Sequence, residues 1–119
     1  NTEILCLETP GHTEGTVSFF FNLEEDGKLY RAGMFGGAGT NQLKKDFLKS
    51  EGLNTLPRGQ FLKSVNRLRN EHVDIFIGNH SWQNDTQGNY EKSLTSDVNP
   101  FIDETRWGAF LDKVEKNLH

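Results

Sequence analysis

The sequence predicts a mixed α/β fold, and the spacing of its apolar residues is the basis for that prediction. Before residue 35, apolar residues form three short segments separated by glycine, proline and acidic turn residues, which is typical of strands. In residues 59–71 and 104–117 they recur instead at the spacing of one helix face. The 119 residues are enough for one domain with a single core.

The first predicted strand is Glu3–Leu7. Apolar residues point to both of its faces, so the segment predicts a strand that is buried on both sides. Cys6 lies within it, and we expect a buried, inert thiol there. It is the only cysteine, which excludes an internal disulfide and a cysteine-rich zinc module.

The second and third predicted strands form a hairpin. They follow a loop, Thr9–Gly15, in which one proline and two glycines favour tight geometry. Thr16–Leu23 alternates, with Ser18 on the polar face, and its apolar face is predicted to consist of Val17, Phe19 and Phe21. Glu24–Gly27 is a hairpin turn that ends in Asp-Gly, and Lys28–Met34 returns as the third strand.

The rest of the chain combines helices with one further strand. Gly36–Gly39 lacks both the Lys-Ser/Thr and the G-x-G-x-x-G spacing of phosphate-binding loops, so it predicts a sharp turn. Val73–Ile77 predicts a strand, and residues 82–99 are polar and irregular with one short helix. The other predicted helices are Gln42–Lys49, Gly59–Glu71 and Glu104–Asn117, the last with Asp103 as its N-cap. The last helix carries an apolar stripe that predicts packing against a core: Trp107, Phe110, Leu111, Val114 and Leu118.

Charge and hydropathy argue against two classes of partner. The chain has 13 Lys and Arg against 17 Asp and Glu, a net charge of −4. Its densest basic cluster is interpreted as the solvated face of a helix: Lys63, Arg67 and Arg69. We therefore expect no nucleic-acid partner. The mean hydropathy is −0.67 and the longest apolar run is three phenylalanines, so we expect no membrane partner either.

Two of the four histidines lie where a site can form. His12 is in the glycine-rich loop and His80 directly follows a predicted strand. Rigid strand ends often aim side chains into a cleft, so both are candidate ligands or catalytic groups. Asn79 precedes His80, and its carboxamide can orient a carbonyl or an imidazole. We assign no site role to His72, which ends a helix, or to His119, the last residue.

Three segments resemble the metallo-β-lactamase superfamily. Thr9–Ser18 resembles its Thr-Pro-Gly-His-Thr-x-Gly-Ser/Thr-x-Ser element, in which the histidine is a zinc ligand. Asp74–His80 resembles the strand that ends in the last metal-binding histidine of the family. Asn99–Asp103 and the amphipathic helix after it are similar to the tail of the third subclass and its relatives. The order of these segments and their separation along the chain agree with the family from Glu3 to Leu118.

The resemblance implies a four-layer αββα sandwich of two similar halves, and we expect residues 1–119 to be the C-terminal half. The N-terminal half of the family carries most of the ligands on a His-x-His-x-Asp-His run, which this sequence does not contain. His12 matches a ligand of the first zinc and His80 a ligand of the second. For such a site we expect Trp82, Gln83 and Asn84, beside His80, to line the substrate mouth, and we expect Asn79 and Trp82 to bind the substrate.

One departure from the superfamily favours its third subclass. Many relatives place a bridging Asp or a Cys ligand just after the strand that is equivalent to Lys28–Met34. Gly33–Gly36 offers neither a carboxylate nor a thiolate, and the third subclass uses no ligand at that point.

The resemblance implies a parent protein that is a zinc-dependent hydrolase with two zinc ions and a small-molecule substrate. Zinc lowers the pKa of a bound water to about 7, and the resulting hydroxide attacks a carbonyl or an ester. This chain alone is expected to bind zinc weakly and to be inactive. Its expected partner is the missing N-terminal half or a second copy, the latter giving a homo-oligomer through an exposed sheet face. The alternatives are a non-catalytic, metal-poor binding or scaffold protein, and an interaction module completed by a partner or a second copy.

Overall fold

The computed structural model of the protein describes residues 2–119 and confirms the mixed α/β fold class. Its strands are β1 (Ile4–Glu8), β2 (Val17–Glu25), β3 (Lys28–Met34) and β4 (Ile75–Phe76). Its helices are α1 (Lys45–Ser50), α2 (Leu56–Arg69), α3 (Thr86–Ser93) and α4 (Arg106–Leu118), and a 3-10 helix (Asn41–Leu43) precedes α1. Within residues 2–119, no helix combines the length and the apolar composition needed to cross a membrane.

The strands form one sheet in the order β1-β2-β3-β4. The first two pairs are antiparallel and β4 joins β3 in parallel, after a crossover that contains α1 and α2. The predicted Asp-Gly turn is confirmed, because Asp26 and Gly27 have φ angles of 52° and 77°, as in a type I′ hairpin. β4 is shorter than the predicted Val73–Ile77, although the amides of Asp74 and Ile77 on either side of it also donate to β3 carbonyls.

Three helix boundaries differ from the predicted ones for local reasons. The segment predicted as one helix over residues 42–49 divides at Lys44, whose ψ of 140° is extended. Helix α2 begins earlier than predicted because Pro57 fits its first turn, where a missing amide hydrogen costs nothing. Helix α4 begins later than predicted, at Arg106.

The core lies between the sheet and helices α2 and α4. Phe20 of β2 meets Trp107 of α4 edge-on, with 5.7 Å between ring centroids. Trp107 also donates from Nε1 to the carbonyl oxygen of Leu68 in α2 at 2.9 Å, which ties the two helices together. Four residues of the stripe predicted for α4 are buried, which confirms the packing of that helix: Trp107, Leu111, Val114 and Leu118.

The buried face of β2 is the opposite of the predicted one. Ser18 and Phe20 are 0% and 1% exposed, whereas Phe19 is 37% exposed. Val17 and Phe21, on the same side as Phe19, are only half-buried. The alternation predicted the period of the strand correctly, but the helices pack against its other side. We call the side of the sheet that carries Phe19 and Phe21 the outer face.

β1 is an exposed edge strand, so the prediction that it is buried on both sides was wrong. Ile4 and Leu5 are 57% and 47% exposed, and the thiol of Cys6 is exposed as well. The prediction of a buried thiol was therefore also wrong. The reason is the position of β1, which has only β2 as a strand neighbour in the described sheet. By register, Ile4 and Cys6 lie on the outer face, opposite Phe21 and Phe19.

Candidate metal centre

Both candidate histidines follow strands at the same end of the sheet. β1 ends and β2 begins there, because Glu8 pairs with Val17. β3 ends there as well, since its last residue, Met34, pairs with Phe19. β4 runs parallel to β3, so the segment that leads to His80 leaves the sheet at the same end. The loops after β1, β3 and β4 are therefore neighbours.

The loop that carries His12 is fixed to helix α2. Ser64 of α2 donates from Oγ to the carbonyl oxygen of Pro10 at 2.8 Å. The next residue, Gly11, has a φ of 143°, and a Cβ there would lie 2.4 Å from the Cβ of Phe61. Only glycine fits both the backbone conformation and the short distance to Phe61. The loop can therefore lie in close contact with α2.

The imidazole of His12 lies against the glycine run after β3. Its Nδ1 is 2.9 Å from the carbonyl oxygen of Gly39. A carbonyl oxygen only accepts, so Nδ1 carries the hydrogen, and in the neutral tautomer of this kind the lone pair is on Nε2. A Cβ at Gly37 or Gly39 would come within 2.9 Å of the ring, and a Cβ at Gly36 would lie 1.7 Å from the carbonyl oxygen of Val17. The sequence predicted a sharp turn for this run but not its contacts with the histidine and with β2.

Asn79 is fixed to the same loop. Its side chain donates from Nδ2 to the carbonyl oxygen of Phe35 at 2.7 Å, and its backbone amide donates to Oε1 of Gln83 at 2.9 Å. The carboxamide that was expected to bind the substrate therefore joins the loops after β3 and β4. Because His12 is bonded to the carbonyl of Gly39, both candidate segments depend on residues 35–39 for their position.

The imidazole of His80 is exposed and stacks on the indole of Trp82. The two rings are 3° from parallel, with 5.6 Å between their centroids. Trp82 is 71% exposed and, together with Phe110 and Lys113 of α4, lines a cavity of about 190 Å³. The indole therefore presents a large aromatic surface beside a candidate ligand.

A second cavity, of about 330 Å³, adjoins His12. Its apolar lining includes Leu48, Leu53 and Pro57, and Gln60 contributes a polar group. Concave space of mixed polarity is typical of small-molecule sites, and here it flanks the loop of the first candidate histidine.

The imidazole donors fit zinc, but the set is incomplete within residues 2–119. Metal-bound histidines usually donate their second ring N–H to a carbonyl or a carboxylate, as His12 does to Gly39. A catalytic zinc takes about three protein ligands. In the described part of the chain, one group of three His, Cys, Asp or Glu side chains lies close enough to share a cation, and it contains neither His12 nor His80: it consists of His72, Asp74 and Glu104.

The fold is similar to that of solved metallo-β-lactamases. The native FEZ-1 enzyme from Legionella gormanii matches 99% of this chain with a TM-score of 0.83 and 25% identity, over 44% of its own length. BJP-1, a subclass B3 metallo-β-lactamase of Bradyrhizobium japonicum, matches 98% of this chain with a TM-score of 0.84 and 13% identity, over 43% of its own length. The class B3 di-zinc enzyme LRA-12 from an Alaskan soil metagenome matches 99% with a TM-score of 0.76 and 21% identity, over 44% of its length.

These similarities confirm the predicted resemblance to the third subclass at the level of the fold. The chain spans less than half the length of the structures that it matches, so it has the fold of a part of them. Neither a protein-family model nor a curated protein matches the sequence.

Proposed function

We propose that this chain, which has the fold of part of the subclass B3 metallo-β-lactamases, is the C-terminal half of a zinc-dependent hydrolase. His12 is then a ligand of one zinc and His80 a ligand of the other. The hydrogen bond from His12 Nδ1 to the carbonyl oxygen of Gly39, at 2.9 Å, carries the proposal. It selects the tautomer in which Nε2 is open for a metal. When bound, zinc lowers the pKa of a water ligand to about 7 and polarises a carbonyl or ester oxygen.

The residues of this chain position the imidazoles and shape the mouth of the site. In the loop after β3, the carbonyl oxygen of Gly39 accepts a hydrogen bond from His12, and that of Phe35 accepts one from Asn79. This one loop therefore sets the positions of the loop that carries His12 and of the segment that carries Asn79. We place Trp82 at the mouth, where its exposed indole can pack against a small-molecule substrate. The remaining zinc ligands are supplied by the other half of the fold, so this chain alone is inactive.

Zinc content and hydrolysis by the complete polypeptide that contains this chain test the proposal. We expect His12→Asn and His80→Asn each to remove about one zinc and to lower hydrolysis of a panel of lactam, lactone and thioester substrates by at least about 100-fold. His119→Asn is the matched control and is expected to retain both. A complete polypeptide that keeps all its zinc in the His12→Asn variant contradicts the proposal. One that binds no zinc and hydrolyses none of the panel supports a non-catalytic binding or scaffold protein instead.

We propose that the N-terminal half of the same fold covers the outer face. Large apolar side chains on this face remain in solvent, with Ile4, Phe19 and Leu23 at 57%, 37% and 41% exposure. They share one side of the sheet by register, and exposed apolar patches of this kind mark interaction surfaces. A second copy of the chain is the alternative occupant and gives a homo-oligomer when the other half is absent.

Dye binding and self-association of the isolated chain test whether the outer face needs a partner. We expect it to bind a hydrophobic dye and to self-associate in sedimentation experiments, and Phe19→Lys is expected to weaken both effects. Leu94→Lys is the control, because Leu94 is 67% exposed but follows helix α3, outside the sheet. A monomer that binds no dye contradicts an uncovered apolar face.

A further inference from the structure

We propose that His72, Asp74 and Glu104 form a second site for a divalent transition-metal ion, separate from the centre at His12 and His80. Their candidate ligand atoms all lie within 4.8 Å of one another. The site lies where β4 begins, whereas His80 follows the end of β4, so the two candidate centres are at opposite ends of this strand. No site role was predicted for His72, because it ends a predicted helix.

Asp74 is the fixed ligand of this group. Its Oδ2 accepts a hydrogen bond from the backbone amide of Arg31 at 2.9 Å, which leaves Oδ1 directed at His72. The carboxylate is mostly buried, with a side chain 19% exposed. The position of this carboxylate is therefore set by the backbone of β3.

The backbone brings the third ligand to the same place. The amide of Asp103 donates to the carbonyl oxygen of Asp74 at 2.8 Å, which holds the start of α4 against the start of β4. The side chain of Asp103 turns back to accept from the amide of Thr105 at 3.0 Å. Glu104 lies between these two anchored residues, and its carboxylate makes no hydrogen bond or ion pair to any other residue in the range 2–119.

The local charges favour a cation. Asp74 and Glu104 contribute two carboxylates beside the imidazole of His72. The nearby guanidinium of Arg31 is paired with Glu71 at 2.6 Å and also donates to the carbonyl oxygen of His72 at 3.1 Å. The positive charge of Arg31 is thus balanced by Glu71, and Lys28 is a further cation whose charge acts on Asp74.

One imidazole and two carboxylates are a ligand set that zinc accepts, with water in the fourth position. In the metal-free protein, His72 donates from Nε2 to Oδ1 of Asp74 at 2.7 Å. The cation takes the place of that hydrogen, and the neutral imidazole then carries its hydrogen on Nδ1. Bound metal joins the segment after α2 to the start of α4, so its role is to stabilise the fold.

Calorimetric titration of the chain with zinc chloride tests this site. We expect one zinc whose affinity falls about tenfold or more in both His72→Gln and Glu104→Gln. Glu51→Gln is the matched control at an exposed glutamate, and His12→Asn is the control for the other centre; both are expected to leave this zinc in place. Circular dichroism checks that each variant is folded. The proposal is overturned if folded Glu104→Gln binds zinc with unchanged affinity, or if His12→Asn loses this zinc. The expected result does not depend on whether the hydrolase proposal is correct.

Discussion

The imidazole of His12 and the carbonyl oxygen of Gly39, 27 positions apart in the sequence, are joined by a hydrogen bond of 2.9 Å. The bond depends on glycine, because a Cβ at position 39 would lie 2.9 Å from Cε1 of the ring. The glycine run after β3 therefore has two effects on the candidate centre. It makes room for the imidazole, and it provides the acceptor that selects the Nδ1–H tautomer.

Gly39→Ala is expected to disturb that tautomer. The added methyl group pushes the imidazole away from the carbonyl, so Nδ1 loses its acceptor. Long-range ¹H–¹⁵N spectra of the isolated chain measure this directly, and we expect His12 to change from one tautomer to a mixture. Gly15→Ala is the control, because a Cβ there has no neighbour within 4 Å. If His12 in Gly39→Ala keeps a pure Nδ1–H tautomer, the carbonyl does not select it.

The two faces of β2 are expected to respond differently to truncation. Phe20 is 1% exposed and packs edge-on against Trp107, so Phe20→Ala should lower the free energy of unfolding by about 3–5 kcal/mol. Phe19 is 37% exposed on the outer face, and Phe19→Ala should cost less than about 1 kcal/mol. Denaturant unfolding of the isolated chain, at concentrations below those at which it self-associates, measures both. If Phe19→Ala loses more free energy of unfolding than Phe20→Ala, the side of β2 that was predicted to be apolar is the buried one.

The sequence could predict the period of β2 but not which side is covered. On its own face of β2, Phe20 has the polar neighbours Ser18 and Asn22. The alternation therefore places more apolar residues on the other face, with Phe19 and Phe21. The side that becomes buried is decided by where α2 and α4 pack, which is a property of the whole chain. The same limit explains Cys6, whose apolar neighbours predicted burial but which lies on an edge strand.

For the candidate centre, the prediction depends on a local motif, and the long-range contacts around it could not be predicted. The residues around His12 indicated a zinc ligand from ten consecutive positions of the sequence. The acceptor at Gly39 and the bond from Asn79 to Phe35 join segments 27 and 44 positions apart. Neither pairing has a periodic pattern that a single sequence reveals. No role was predicted for His72, because it ends a predicted helix, and its proximity to Glu104 is likewise a long-range contact.

Two glycines of similar appearance in the sequence are expected to tolerate alanine very differently. A Cβ at Gly36 would lie 1.7 Å from the carbonyl oxygen of Val17, and neither backbone can move without breaking the end of the hairpin. Gly36→Ala should therefore destabilise the chain by about 3 kcal/mol or more. Gly59 lies in α2 with open space around its Cβ position, so Gly59→Ala should stabilise by about 0.5–1 kcal/mol. Thermal unfolding of both variants checks the pair, and a neutral Gly36→Ala would contradict the close approach.

Arg58 is expected to stabilise the fold through backbone carbonyls. It is 6% exposed, and its guanidinium donates to the carbonyl oxygens of Leu43 at 3.1 Å and Leu118 at 2.9 Å. One side chain thus satisfies the ends of the 3-10 helix and of α4, where carbonyls lack helical partners. Arg58→Met keeps most of the buried stem but leaves both acceptors unpaired, so we expect a loss of about 2–4 kcal/mol in denaturant unfolding. Arg67→Met, at an exposed position of the same helix, should change the free energy of unfolding by less than about 0.5 kcal/mol. Equal losses in the two variants would show that the carbonyl contacts of Arg58 contribute nothing, because only Arg58 makes them.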